Sequence, residues 1–305
     1  MRVEFVVALV IGAGLLIQRS RSTRVGRRVA CWLAHRLTVL RGAPLAESLP
    51  LTYVISLARR PAKRKTVLER IAAAGLERVV VIDAVDGREL SPEALEARGV
   101  VPYAGWKLED SPCRFFSRAL KWGEIGCGLS HHTVWKLTSV STEPVLVVED
   151  DVDFLPNFAA MLSAALAELR DLVEAGETPL PDLLYLTRRA MKPASERLVG
   201  SRRQAGEGGA RVQLVAPAFS YKTTAYMLWP TGAVKLLASG YLRKVIPVDD
   251  FLNVLFCTHE VEPGMARPDL DALFADAPRL RVLAVRPQLA RERRGISDTE
   301  NSKVM

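Results

Sequence analysis

From residue 51 onward the chain alternates short, apolar, β-branched runs with longer segments in which apolar residues recur every three or four positions. The short runs predict strands, and the longer segments predict helices with one apolar face. Strands are predicted at 51–57, 79–82, 145–148 and 183–186, and helices at 61–74, 124–137 and 156–173. Strand and helix in repetition predict an α/β fold with a mostly parallel central sheet flanked by helices.

The segment 192–211 interrupts this pattern, because it is polar, contains glycine and shows no apolar period. It is predicted to be a surface loop that can act as a mobile lid. Parallel sheets bind ligands outside the carboxyl ends of their strands. The residues that directly follow each predicted strand are therefore the first candidates for ligand binding.

An acidic cluster follows the third predicted strand and consists of Glu149, Asp150, Asp151 and Asp153. If the extended backbone continues, Glu149, Asp151 and Asp153 point to one side and Asp150 to the other. Two carboxylates about 4 Å apart repel by roughly 4 kcal/mol at an effective dielectric of 20, so the cluster requires a cation, donors or a proton. Oxygen ligands suit Mg²⁺ or Mn²⁺ that bridges to a diphosphate.

Asp151 and Asp153 are therefore the candidate metal ligands, with Asp150 as an alternate. A structural interpretation competes with this one: the acids stabilise the N-terminus of the helix that starts near Pro156, with Asp153 as its cap. The two interpretations are compatible with each other.

Charge is distributed unevenly along the 305 residues, of which 49% are apolar and 25% charged, as in an ordinary folded protein. The formal net charge is +8, but residues 1–41 contain eight arginines and one glutamate. The remaining 34 basic and 33 acidic side chains nearly cancel. No basic stripe interleaved with aromatic residues remains in the body, so we expect no nucleic-acid partner.

The arginines of this leader surround a 13-residue apolar run at 5–17. A membrane helix needs about 20 apolar residues, whereas the apolar part of a secretory signal has about 7–15. The run therefore predicts a signal or membrane attachment, and a location in the secretory pathway, in the lumen of the endoplasmic reticulum or Golgi. The arginines behind it favour the alternative, the cytoplasmic face of a membrane. We expect a leader at 1–48 and one folded domain at 49–305.

The four cysteines, Cys31, Cys113, Cys127 and Cys257, are too few and too scattered for a disulfide scaffold or a zinc knuckle. We expect Cys127 and Cys257 to pack as small apolar side chains.

Four ordered blocks carry a family resemblance, and they are 53–64, 84–87 (Ala-Val-Asp-Gly), 123–135 with 147–151, and 221–233 with 247–250. Together they resemble glycosyltransferase family 25, which includes bacterial lipooligosaccharide galactosyltransferases and animal procollagen galactosyltransferases. Residues 182–189 and 297–300 are more similar to the procollagen branch. The resemblance extends over about residues 51–300.

The resemblance implies a GT-A-like nucleotide-sugar-binding fold in a metal-dependent transferase. It implies transfer of a hexose, galactose from UDP-galactose, with inversion, to a hydroxyl of a collagen-like hydroxylysine, another protein side chain or a glycan. The expected metal is Mn²⁺ or Mg²⁺. Ser56, Ala58 and Ala62 stand where the family usually has Asn, Asp and Asp. These departures leave open an alternative, a catalytically idle, membrane-attached binding or adhesion protein on the same fold.

Asp249 is the candidate catalytic base and Asp250 the next candidate, because inversion needs one carboxylate on the acceptor side. Helix capping ahead of Phe251 is the alternative for both. His131 shares one predicted helix face with Glu124 and Trp135. It is a candidate for substrate contact, although a histidine on such a face is more often part of the core.

The remaining candidates surround the donor. Arg59, Arg60 and Arg64 follow the first strand, where their guanidinium groups can meet phosphate oxygens. A solvated helix start is the alternative for Arg64. Glu149 and Asp150 are assigned to donor contacts beside the metal.

Overall fold

A computed structural model of the protein describes residues 49–205, 209, 211–260, 265–293, 299 and 302–305. The leader predicted at 1–48 and most of the 297–300 motif lie outside the described residues. Within the described part of the chain, no helix combines the length and the apolar character that crossing a bilayer requires.

Most of the strands belong to one large sheet. In chain order the strands are β1 (Leu51–Ser56), β2 (Val79–Asp83), β3 (Val145–Glu149), β4 (Val152–Phe154), β5 (Leu183–Ala190), β6 (Arg197–Gly200), β7 (Gln213–Ala216), β8 (Ser220–Leu228), β9 (Val282–Arg286) and β10 (Ala290–Glu292). Eight of them form the sheet in the order β2-β1-β3-β8-β5-β9-β7-β6. Six of these eight run in the same direction, while β7 and β8 run against them. β4 and β10 form a separate antiparallel pair.

Helices cover the sheet. In chain order they are α1 (Pro61–Ala73), α2 (Pro92–Ala97), α3 (Trp122–Ser139), α4 (Phe158–Glu174), α5 (Pro230–Ala238), α6 (Val248–Val254) and α7 (Pro268–Leu273). The three predicted helices are confirmed as α1, α3 and α4 to within two residues at each end. α1 begins with Pro61 in its first turn, where the missing N–H costs nothing, and is followed by Gly75 at a φ of 79°.

Two apolar layers pack on the two faces of the sheet. Val145 and Val147 of β3 belong to the layer that contains α3 and α6, whereas Leu146 and Val148 belong to the layer under α1 and α4. β3 is buried on both faces, which explains its continuous apolar sequence. The predicted α/β class, a GT-A-like arrangement of helices on a central sheet, is confirmed.

The prediction of a structureless loop over 192–211 was wrong for part of that segment. Pro193–Ser195 forms a 3₁₀ turn, and β6 pairs with β7 at the edge of the sheet. Gln204 also forms an isolated bridge with Arg211. β6 has only four residues, so its sequence carries a weak strand pattern. Its partner, β7, lies beyond the polar segment, and the apolar period alone therefore did not predict the pair.

Candidate functional site

A pocket of about 610 Å³ lies at the sheet edge where β1 and β3 end and β8 begins. Ser56 and Glu149, the last residues of these two parallel strands, line it together with Arg189 from the end of β5. The antiparallel β8 contributes its first residues, 221–224, because its start lies at the same edge. This is the position that the carboxyl-end rule for parallel sheets predicts.

The turn after β2 closes one side of the pocket by packing directly on α3. A Cβ atom added to Gly126 would lie 2.5 Å from the carbonyl oxygen of Val85, so only glycine permits this approach. Ser130, one helical turn later, accepts a hydrogen bond from the backbone N–H of Val85 at 2.9 Å. The 84–87 block and the 123–131 block therefore form one structural unit.

The acidic cluster reaches the pocket through a turn instead of a continued strand. β3 ends at Glu149, Asp150 and Asp151 form the turn, and β4 begins at Val152. Glu149, Asp150 and Asp151 all line the pocket. The expectation that Asp150 faces away from the other acids was therefore wrong, because side chains alternate only while the backbone stays extended.

Asp153 is separated from this group. It does not line the pocket, and its carboxylate accepts a hydrogen bond from Arg291 Nε at 2.9 Å across the β4–β10 pair. Nor does Asp153 cap the next helix, since α4 begins at Phe158 with Asn157 at its N-cap position. The structure thus does not bring the two predicted metal ligands, Asp151 and Asp153, together.

Asp150 is satisfied by protein partners on both oxygens. Ser56 donates to Oδ2 at 2.8 Å, and the Lys63 ammonium lies 2.5 Å from Oδ1. Sequence reasoning missed Lys63, although its position one turn after Arg60 on α1 was a usable signal. Glu149 accepts a hydrogen bond from Thr223 of β8 at 2.6 Å, a partner that only the strand order reveals.

Asp151 differs from its neighbours in lacking such partners. Its Oδ1 is buried and has no hydrogen-bond partner among the residues that the structure describes. Burial raises the pKa of Asp151 to about 7, and the charge of Glu149 adds to the effect. A partly buried carboxyl oriented into an acidic pocket with one unsatisfied oxygen is suited to bind a cation.

Asp249 enters the same pocket from the first turn of α6. Burial raises its pKa to about 8, with the charge of Asp250 as the second cause. The backbone N–H of Lys222 points to Asp249 Oδ2 at 3.4 Å, and Lys222 adopts a left-handed φ of 82°. A non-glycine residue in this conformation is strained, and such strain concentrates at functional sites.

Asp250, the second base candidate, lies behind the pocket wall. Its side chain is fully buried, and His259 Nε2 lies 2.8 Å from Oδ1. Phe116 and Phe219 pack around the histidine ring, with ring centroids 5.9 and 4.8 Å away. Asp250 therefore affects the pocket through its negative charge, which raises the pKa of Asp249.

His131 is also fully buried, beneath the pocket floor. Its Nδ1 is 2.9 Å from the Tyr226 hydroxyl, and its Nε2 is 3.4 Å from a Glu149 oxygen. Burial by itself would raise the pKa of Glu149, but His131 holds that pKa below its ordinary value. The structure thus places His131 behind Glu149 and outside the pocket lining.

The three candidate arginines divide into two groups. Arg59 and Arg60 line the pocket, and Arg59 forms an ion pair with Asp86. Arg64 lies outside the lining and donates to the Ser56 carbonyl at 2.8 Å and to Asp83 at 2.7 Å. Arg64 therefore stabilises the end of β1 through its hydrogen bond to the Ser56 carbonyl.

Comparison with known proteins agrees with this architecture. The model for glycosyltransferase family 25 (LPS biosynthesis protein) matches residues 50–252. The chain is 39% identical over 254 residues to a Bos taurus protein named probable inactive glycosyltransferase 25 family member 3. The aligned region covers 82% of the chain and 39% of that relative. It is 36% identical over 255 residues to a Drosophila pseudoobscura pseudoobscura glycosyltransferase 25 family member, with 82% of the chain and 37% of the relative covered.

A Homo sapiens relative named inactive glycosyltransferase 25 family member 3 is 38% identical over 257 residues, with 82% of the chain and 39% of the relative covered. The chain thus spans about two fifths of the length of these curated relatives. Because the family model covers two thirds of the chain, the protein belongs to glycosyltransferase family 25.

Proposed function

We propose that the protein is a metal-dependent glycosyltransferase that moves a hexose, galactose from UDP-galactose, to a hydroxyl acceptor with inversion. One observation carries the proposal: Asp151 and Asp249, two carboxyls with pKa values raised to about 7 and about 8, line the same pocket. Acid groups with perturbed pKa values in a cleft are typical of catalytic and metal-binding sites.

Asp151 is the residue that would hold the cation, with Glu149 beside it. Mn²⁺ and Mg²⁺ prefer oxygen ligands, and Mg²⁺ in phosphate sites commonly takes one or two carboxylates and completes its shell with substrate phosphates and water. The unpartnered Oδ1 of Asp151 fits this role. When bound, the metal would supply positive charge for the diphosphate that departs from the sugar.

Arg59, Arg60 and Lys63 line the pocket near the end of β1 and bring positive charge to the donor side. Guanidinium groups pair with phosphate oxygens in a bidentate manner. In this arrangement the arginines orient the diphosphate, and Asp150 keeps Lys63 in place through their ion pair.

Asp249 is proposed as the general base. It takes the proton of the acceptor hydroxyl, the hydroxyl oxygen bonds to the anomeric carbon from the face opposite the diphosphate, and the bond from that carbon to the diphosphate oxygen breaks. Because a base is most effective when its pKa lies near the working pH, a pKa of about 8 suits this step. The product is an inverted glycoside plus UDP.

The test is incubation of the full chain with a panel of UDP-sugars and Mn²⁺, scoring UDP release with and without hydroxyl acceptors. We expect release from UDP-galactose and its loss in Asp151→Asn. Asp276→Asn is the matched control, since Asp276 is exposed and does not line the pocket. Absence of release from every donor by the folded protein would refute the proposal.

A second candidate is the catalytically idle, membrane-attached binding or adhesion protein. The names of two relatives favour it, because they describe those proteins as inactive or probably inactive. Ser56, a departure from the family motif, here bonds to Asp150 in the same pocket. Calorimetric titration with UDP and Mn²⁺ separates the candidates, because an idle fold that has lost its donor site gives no binding at millimolar ligand.

Attachment to a membrane and a location in the secretory pathway rest on the leader sequence and are part of the proposal. The acceptor class, whether a collagen-like hydroxylysine, another protein side chain or a glycan, is likewise proposed from the family. A protease-protection assay on intact vesicles tests the membrane attachment and the location, and a panel of hydroxyl acceptors tests the acceptor class.

A further inference from the structure

The floor of the pocket contains a group of three side chains with different donor atoms. Cys127 and His131 lie one turn apart on α3, and Glu149 ends β3 directly beside them. The Cys127 sulfur, a His131 ring nitrogen and a Glu149 oxygen all lie within 4.8 Å of one another. Among the described residues, this trio is the group of three that could hold one metal ion, and Asp151 is not part of it.

The histidine of the trio is already oriented by a partner on its far side. The Tyr226 hydroxyl lies 2.9 Å from His131 Nδ1 and accepts a hydrogen bond from Trp135 Nε1 at 3.3 Å. Metal-binding histidines typically engage a hydrogen-bond partner through the nitrogen that does not bind the metal. Tyr226 supplies such a partner and fixes the plane of the imidazole.

The other ring nitrogen points into the trio without a hydrogen bond of good geometry. His131 is fully buried, and its Nε2 has no hydrogen-bond partner in the described part of the chain, although a Glu149 oxygen lies 3.4 Å away. An unsatisfied buried nitrogen is costly, and a cation between Nε2 and the carboxylate would satisfy both groups. Cys127 and Glu149 line the pocket, so a cation can reach the trio from the pocket.

The donor set determines which cation fits. Sulfur, imidazole nitrogen and one carboxylate oxygen suit Zn²⁺, whereas Mn²⁺ and Mg²⁺ favour oxygen alone. Binding of a cation displaces the proton of the Cys127 thiol, because the thiolate is the form of cysteine that binds a metal. Three protein ligands are the number found in open zinc sites, where water takes the fourth position.

We propose that Cys127, His131 and Glu149 form a zinc-selective site at the pocket floor, adjacent to the oxygen-rich position at Asp151. The site takes Zn²⁺ in exchange for the proton on Cys127 Sγ, while His131 binds through the lone pair of Nε2 and directs its Nδ1 proton at the Tyr226 hydroxyl. Zinc binding at this site does not depend on transferase activity, so its test is independent of the test of the proposed function.

The test titrates the full chain, reduced and freed of metal, with Co²⁺ as a spectroscopic probe for Zn²⁺. We expect one equivalent to bind with a thiolate-to-cobalt charge-transfer band, and one equivalent of Zn²⁺ to remove that band. Cys127→Ser should abolish the band, whereas Cys257→Ser, a second partly buried cysteine outside the pocket lining, should retain it.

Tyr226→Phe provides a milder variant that keeps the ring and loses only the hydroxyl. Loss of such a supporting hydrogen bond should weaken Co²⁺ binding about 10–100-fold, with the band still present at saturation. Thermal melting of each metal-free variant confirms that it is folded. Absence of the band in the wild-type protein, or its persistence in Cys127→Ser, would overturn the proposal.

Discussion

His259 and Asp250 form a fully buried pair, with the histidine Nε2 2.8 Å from one carboxylate oxygen. Within the described residues, the other oxygen of Asp250 and the Nδ1 of His259 have no hydrogen-bond partner. Asp250 adjoins Asp249 in the first turn of α6, and its charge helps to raise the pKa of Asp249. A buried acid with a single partner is sensitive to the loss of that partner, because an unpaired buried charge is costly.

Replacement of His259 by leucine should destabilise the protein by about 3–5 kcal/mol, because it leaves Asp250 buried without its partner. Urea denaturation measures the loss. The double variant His259→Leu/Asp250→Asn should recover part of it, since position 250 then no longer holds a buried carboxylate without a partner. Equal free energies of unfolding for His259→Leu and the double variant would show that the Asp250–His259 pair is energetically unimportant.

Removal of the Asp250 charge should shift the activity profile to lower pH. The charge of Asp250 raises the pKa of Asp249, so Asp250→Asn lowers that pKa while burial still holds it above the ordinary value. We expect the rising limb of kcat/KM for UDP-galactose near pH 8 in the wild-type protein, and we expect Asp250→Asn to move it to lower pH. Asp276→Asn should leave the limb in place, and an unmoved limb in Asp250→Asn would contradict the assignment.

Replacement of Asp249 by asparagine should stabilise the fold increasingly as the pH rises. The folded protein keeps the Asp249 proton up to about pH 8, whereas the unfolded chain releases it near pH 4. Wild-type stability is therefore lowered across this window by at most about 1.4 kcal/mol per pH unit, and the asparagine avoids this cost.

The stability difference between Asp249→Asn and the wild-type protein should accordingly grow from pH 4 to pH 8 and level off above it. Denaturation in urea at several pH values measures it, with Asp276→Asn as the control that shows no such trend. A difference that is constant with pH would show that the pKa of Asp249 is not raised in the folded protein.

Several parts of this fold could be predicted from the sequence, and the reasons differ between elements. β1, β3, α1 and α3 have strong local patterns, so their apolar period and the Pro61 and Gly75 boundaries identified them. β8 was not predicted, because its Tyr- and Thr-containing sequence mixes pocket residues with core residues.

The site was predicted in part for a similar reason. The sequence shows which residues follow each predicted strand. Their position directly after the strand at 145–148 identified Glu149, Asp150 and Asp151 as candidates. The turn at 150–151 could not be read in the same way, so Asp153 was assigned to the wrong side. Thr223 and His259 contact acids 74 and 9 residues away, and such pairings depend on strand order and helix packing.

The two candidate metal ligands should behave differently when they are replaced. Asp151→Asn removes the unsatisfied carboxylate in the pocket, so Mn²⁺-dependent binding of UDP should fall sharply. Asp153→Asn should weaken binding far less, because Asp153 pairs with Arg291 outside the lining. Isothermal titration of both variants with UDP and Mn²⁺ compares them, and equal losses would restore Asp153 as a ligand.

The most direct test of the central proposal is the rate of UDP release from UDP-galactose with Mn²⁺ and a hydroxyl acceptor, measured for the wild-type protein and for Asp249→Asn. Loss of a general base should lower kcat/KM by about 10²–10⁴. Binding of UDP should be retained in Asp249→Asn, because the donor-side residues are unchanged. Wild-type turnover that Asp249→Asn leaves intact would contradict the assignment of the base, and absence of turnover in a wild-type protein that binds UDP would contradict the account as a whole.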